Sequence, residues 1–281
     1  MPKYQIGARA HDYGRGTPAD LFRRMRTDGW ECTQLAYKKA VEGVSELTDV
    51  TPELVEETRR AFADAGLSLA VLGVYREIGS ADEALRERET NVFISQMPVC
   101  RALGAPCMGT ETTPMEKQPA GTTMREAQRQ LMRSLEAIVP AAEEAGVTVA
   151  IEPVWHHALC TAEFTKEVLD TMGSDCLRVL FDPANLLSKE WMGRQGELFG
   201  GSVGWWGDKI VGIHFKGIRY DAQGVRSACR LEQSQVDYAS VFRRLSQLPQ
   251  SVLPVLREEA VPAAAASDIA FMRSFFGAQE G

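Results

Sequence analysis

Four apolar runs in the second half of the chain each lead into a side chain that binds metals or moves protons. Residues 147–151 lead to Glu152, 177–181 to Asp182, 210–213 to His214, and 252–256 to Arg257, Glu258 and Glu259. Successive side chains of a strand point to opposite faces, so Glu258 rather than Glu259 shares the inward face. Three carboxylates and one imidazole suit a divalent ion such as Mn2+, Mg2+, Co2+ or Zn2+. Each residue taken singly has a duller explanation. Glu152 could end a strand in solvent, Asp182 before Pro183 could open a turn, and a lone histidine in an apolar strand is often a core residue. Four such residues at four successive strand ends, in a chain with only four histidines, favour one shared site.

Short, near-continuous apolar runs are the pattern of buried parallel strands. Upstream, strands are expected at 4–8, 32–35, 69–74 and 107–110. His11 follows the first and Glu111 ends the fourth, which makes both further candidates at the same mouth. Thr17-Pro18 and Thr51-Pro52 read as helix starts, a capping residue followed by proline. Helix patterns cover 82–103 and 123–146, with a last one over 268–276 and a frayed tail at 277–281. Gly29, Gly66, Gly104 and Gly146 each separate a helix pattern from a strand, where a left-handed residue ends a helix. Eight alternating units in 281 residues predict an α/β fold, a single (β/α)8 TIM barrel with 1–281 as one domain. An open doubly wound sheet binding a dinucleotide would show GxGxxG after its first strand, and none is there. Long loops are expected at 185–201 and 217–236, on the face where such barrels place their chemistry.

Composition narrows the partners. The net charge is −7, from 31 basic and 38 acidic residues, without a basic run. Arg23, Arg24 and Arg26 read as a solvated helix face, so nucleic acid is not an expected partner. No apolar run approaches the ~20 residues of a membrane span, and the first residues lack the apolar segment of an export leader. A cytoplasmic location is therefore expected. The six cysteines include no CxxC pair and read as reduced thiols, most of them buried.

The motifs VAIEPV (149–154), VLFDPANLL (179–187), GIHFKGIR (212–219) and PVLREEA (254–260), in this order, resemble the sugar phosphate isomerase/epimerase family of xylose-isomerase-like TIM barrels. That group includes ketose 3-epimerases, inosose dehydratases and hydroxypyruvate isomerases. The resemblance implies that Glu152, Asp182, His214 and Glu258 are metal ligands. It also implies that Glu152 and Glu258 form the acid/base pair that moves a proton α to a carbonyl through an enediolate. His157 and Arg219 would touch hydroxyls of a small carbohydrate substrate. Three departures stand out. Asn185 occupies the place of a histidine in ketose 3-epimerases, Gly217 replaces the Asp of HxKD, and Glu232-Gln233-Ser234 replaces a glycine-rich turn. Asn185 is therefore a candidate substrate contact. A dehydratase of the inosose type and a non-catalytic sugar-binding barrel are the alternatives. An endonuclease IV-like repair enzyme needs a histidine-rich multi-metal site that four histidines do not supply. A homodimer is compatible with this reading.

Overall fold

The computed structural model describes residues 3–249 and 252–276. Eight strands close into a parallel barrel: β1 (Lys3–Arg9), β2 (Cys32–Leu35), β3 (Ser68–Gly73), β4 (Met108–Glu111), β5 (Val149–Glu152), β6 (Leu177–Phe181), β7 (Ile210–Phe215) and β10 (Val252–Arg257). β10 lies between β7 and β1, so the last strand closes the ring on the first. A small antiparallel hairpin, β8 (Ile218–Tyr220) and β9 (Arg226–Ala228), stands outside the barrel sheet.

The helices start and stop by local chemistry. The Thr17 and Thr51 side chains accept from the backbone N–H groups of Asp20 and Leu54, with proline at the first helical position. Gly66, Gly104 and Gly146 end their helices at φ of 63°, 68° and 63°, a conformation that favours glycine. The helix pattern over 82–103 is two helices, Glu83–Ser95 and Met97–Leu103. Pro98 explains the break, because its ring clashes with the carbonyl four residues back and it has no N–H to give. The expected loop at 185–201 contains a helix, Gln195–Trp206. Its four glycines disguise it in the sequence. Burial of Phe199 and Trp206, edge-on to Phe181, holds it in place. The expected 217–236 loop carries the β8–β9 hairpin. The last helix runs Ala265–Arg273, and the tail at 277–281 lies outside the described residues.

Two apolar cores result. The larger lies between sheet and helices. The smaller fills the barrel with Cys32, Ala70, Val71, Cys107, Ala150, Leu180 and Leu256. Leu180 is the bulky plug, and glycines make room for it. A Cβ on Gly212 would meet Leu180 Cδ1 at 2.9 Å, and one on Gly109 would meet Val71 Cγ1 at 2.6 Å. This apolar layer fixes what comes next. Two residues on from Cys32, Gly109, Ala150, Leu180, Gly212 and Leu256, with the same facing by alternation, stand Gln34, Glu111, Glu152, Asp182, His214 and Glu258. The polar site is thus the layer stacked directly above the barrel plug. Cys32, Cys100 and Cys107 are buried, the other three cysteines are half-buried, and all are free thiols. No helix among the described residues is long and apolar enough to cross a membrane.

Candidate metal centre

Glu152, His214 and Glu258 each bring one ligand atom into a group lying within 4.8 Å of one another. His214 Nδ1 is 3.0 Å from Glu152 Oε2 and 3.2 Å from Glu258 Oε1. The other imidazole nitrogen, Nε2, is 2.7 Å from Gln34 Oε1. The Gln34 amide nitrogen donates to the Tyr75 hydroxyl, so its oxygen faces the histidine and accepts from Nε2–H. That leaves the Nδ1 lone pair for the centre, the arrangement a metal-bound imidazole requires. Glu152 Oε2, Asp182 Oδ2 and His214 Nδ1 are buried and make no hydrogen bond of good geometry, their close pairs being with one another and, for Asp182, with Lys216. Buried polar atoms are seldom left so, and a divalent ion would satisfy them. The donor set therefore fits a metal.

The fourth expected ligand, Asp182, sits beside this trio rather than within it. Lys216 Nζ lies 2.9 Å from Asp182 Oδ2 and 2.6 Å from Glu258 Oε2, bridging the two carboxylates. Arg9, at the end of β1, places Nη1 3.0 Å from Glu258 Oε1 and grips Asp12 with its remaining nitrogens. Lys39 lies 3.8 Å over the Tyr75 ring. Three cations thus face four carboxylates, counting Glu111. Sequence reasoning missed Arg9, Gln34, Lys39 and Lys216. Lys216 lies inside the quoted GIHFKGIR motif, and that position was its one available signal.

Asn185 is the bracket of the site. Its backbone N–H donates to Asp182 Oδ1 at 2.8 Å, its Nδ2 donates to Glu152 Oε1 at 2.7 Å, and its Oδ1 accepts from Arg226 Nη2 at 3.3 Å. Arg219 is exposed on the opposite face of the hairpin from Tyr220 and Arg226, and the arginine that reaches Asn185 is Arg226. His157 is buried on the loop after β5, and its Nδ1 has no hydrogen-bond partner. Burial and the neighbouring His156 push it down to about 3. Burial and Arg9 push His11, half-buried after β1, down to about 4. Gly217 has a steric reason. A Cβ there would meet the Cys229 carbonyl oxygen at 2.3 Å, so the returning hairpin leaves no space for an aspartate.

The charges around the centre shape its protonation. Burial opposes charge on Glu258, but His214, Lys216 and Arg9 outweigh it and hold the carboxyl well below the usual range. Burial likewise opposes charge on His214, yet Glu258 and Glu152 raise it to about 9. Glu111, paired in register with Glu152, is pushed up to about 7 by burial and by Glu152 and Glu258.

Two expected results follow from this geometry. Gln34→Leu removes the acceptor that fixes the His214 tautomer, and Mn2+ affinity measured by calorimetry should fall about 10–100-fold. Unchanged affinity would show that Gln34 does not orient the ring. The second result concerns Glu111. Its folded-state value lies above the ordinary ~4.3 of glutamate, so between these values the folded chain binds more protons than the unfolded chain. Stability must then fall as pH rises toward about 7. In chelator-treated protein, Glu111→Gln should be more stable than wild type at pH 8, by about 1–3 kcal/mol in urea. The difference should vanish near pH 4, and an equal difference at both pH values would disprove the assignment.

The comparisons with known proteins bear on this centre. Among solved structures, a D-tagatose 3-epimerase-like protein superposes with a TM-score of 0.75 at 12% identity, covering 96% of each chain. The apo 3-keto-D-glucoside 4-epimerase from E. coli has a TM-score of 0.70 at 16% identity, covering 97% of this chain and 100% of that one. A xylose isomerase-like TIM barrel protein from Mycobacterium smegmatis in complex with magnesium has a TM-score of 0.72 at 14% identity, covering 98% of each. At these identities the likeness establishes the fold. No curated protein matches the sequence. Residues 22–275 do match one family description, nearly end to end, and with the closed barrel this establishes that the chain belongs to the Xylose isomerase-like TIM barrel family.

Proposed function

We propose that the protein is a metal-dependent epimerase or isomerase of a sugar or sugar-like polyol, with Glu152 and Glu258 exchanging the proton α to a carbonyl. One observation carries this reading. Glu152, His214 and Glu258 each turn a ligand atom toward one buried point at the floor of the barrel mouth, all within 4.8 Å of one another. Glu152, Asp182, His214 and Glu258 would hold the ion, with Lys216 leaving its place between Asp182 and Glu258. A bound divalent ion supplies polarisation of the substrate carbonyl. The protein supplies the rest. β5 and β10 are separated by β6 and β7, so Glu152 and Glu258 flank His214 from two sides. Glu258, which keeps Arg9 Nη1 3.0 Å from its Oε1, would accept a proton. Asn185 fixes the Glu152 carboxylate so that it can return a proton from the other flank. Return to the same carbon inverts it, and return to the neighbouring carbon isomerises the sugar. The names of the structural neighbours agree with such chemistry.

A dehydratase is the second reading, favoured by Glu111. Its carboxyl stands beside Glu152 in register, and burial with Glu152 and Glu258 favours its protonated form, which would give its proton to a departing hydroxyl. One experiment addresses both readings. Candidate ketoses and inososes are incubated with Mn2+-loaded protein in D2O. Deuterium at the carbon α to the carbonyl supports the proposal, and accompanying loss of water identifies a dehydratase. Bound metal with no exchange in any sugar would leave a binding protein.

A further inference from the structure

Beside the segment that carries Asn185, against Leu186 and Ser188, lies a cavity of about 480 Å3, within the ~300–1,000 Å3 of small-molecule sites. Three loops build it. The loop after β5 brings Trp155, the segment after β6 brings Trp191, and the hairpin brings Tyr220 and Arg226. Two of its lining residues, Trp155 and Arg226, reach the carboxylate centre through Asn185. The Trp155 N–H donates to the Asn185 carbonyl at 2.9 Å, and Arg226 Nη2 contacts the Asn185 side chain that holds Glu152.

The chemistry of this wall is specific. Trp155 is 39% exposed and leans on the His156 ring, with centroids 4.9 Å apart. The other two rings are held in place. The Tyr220 hydroxyl donates to the Leu187 carbonyl at 3.1 Å, and the Arg194 guanidinium sits 4.5 Å over Trp191. Arg226 Nε is buried without a partner. The charged lining is balanced, with Glu163 and Glu190 against Lys189 and Arg226. A balanced wall does not select a phosphate or another anion. Aromatic faces carry negative quadrupole charge and favour the slightly positive C–H face of a sugar ring. The mixed polar groups then suit its hydroxyls.

We propose that this cavity is a subsite for a second, uncharged sugar ring, so that the substrate is a glycoside or disaccharide rather than a free monosaccharide. The reacting ring would lie at the carboxylate centre and its neighbour against Trp155, Trp191 and Tyr220. This rests on the reading of the centre as a sugar-processing site.

The test compares isomaltulose and lactulose, two ketose-terminated disaccharides, with free fructose. In Mn2+-loaded wild type, deuterium exchange should show a KM at least tenfold lower for a disaccharide than for fructose. Trp155→Ala should remove roughly that factor for the disaccharide and leave the fructose KM unchanged. Trp155→Phe should recover most of it. Binding is followed separately through tryptophan fluorescence in Glu152→Gln protein, which reports the second ring without turnover. Exchange on fructose with no tighter binding of either disaccharide overturns the subsite and leaves the proposed reaction standing. Disaccharide binding that depends on Trp155, with no exchange in any sugar, upholds the subsite and removes the reaction. Equal losses for fructose and disaccharide in Trp155→Ala also overturn the subsite.

Discussion

Glu258→Gln should weaken Mn2+ binding at least ~100-fold, the scale on which supporting groups alone cost 10–100-fold, whereas Glu259→Gln should bind as wild type does. The two carboxylates are adjacent in sequence and opposite in environment. Glu258 is 1% exposed and meets His214, Arg9 and Lys216. Glu259 is exposed, at a φ of 59°, and turns away from the barrel. The amide in Glu258→Gln leaves Lys216 and Arg9 short of a buried partner, and breaking such a pair costs about 3–5 kcal/mol. Circular dichroism should therefore accompany the calorimetry. Glu258→Asp, which keeps the charge, separates lost ligation from lost folding. A folded Glu258→Gln protein that binds Mn2+ normally would remove Glu258 from the ligand set.

Glu152→Gln should suppress deuterium exchange by about 10²–10⁴-fold, the usual contribution of a positioned acid or base. The substitution is nearly isosteric. Asn185 donates to Glu152 Oε1 at 2.7 Å, and a glutamine oxygen can accept the same bond. The barrel should remain intact while the proton-carrying oxygen is lost. Metal content measured on the same sample divides the effect into ligation and proton transfer. Full exchange in Glu152→Gln would assign the second proton to another group, and Glu111, its neighbour in register, would be the first to examine.

The barrel and its four strand-end residues were readable because both follow short-range rules. A buried parallel strand needs an unbroken apolar run, and the inward period of 2 carries the apolar plug directly into the polar layer. Glu152, Asp182, His214 and Glu258 therefore announce themselves at run ends. Gln34 does not, because its role depends on a contact with His214 across 180 positions of sequence. Arg9 and Lys216 are hidden for the same reason, since an isolated cation in a sequence looks like solvated surface. Arg219 drew attention by its place in a motif, but hairpin alternation turns it outward and Arg226 inward. The hairpin and the glycine-bearing helix Gln195–Trp206 escaped detection because tertiary burial, not local propensity, stabilises them.

The Lys216 bridge between Asp182 and Glu258 bears on the order of assembly in the cell. In small zinc domains the chain cannot fold until the ion arrives, because nothing else offsets the clustered ligands. Here the Lys216 ammonium and the Arg9 guanidinium already offset the carboxylates. If the centre holds an ion, the barrel need not wait for it: the chain could close first, and the Lys216 side chain would then have to give up its place. On the proposed reading, the ion that fills the centre would then be set by the free metal pool that the mature protein meets, not by the ions present during its synthesis.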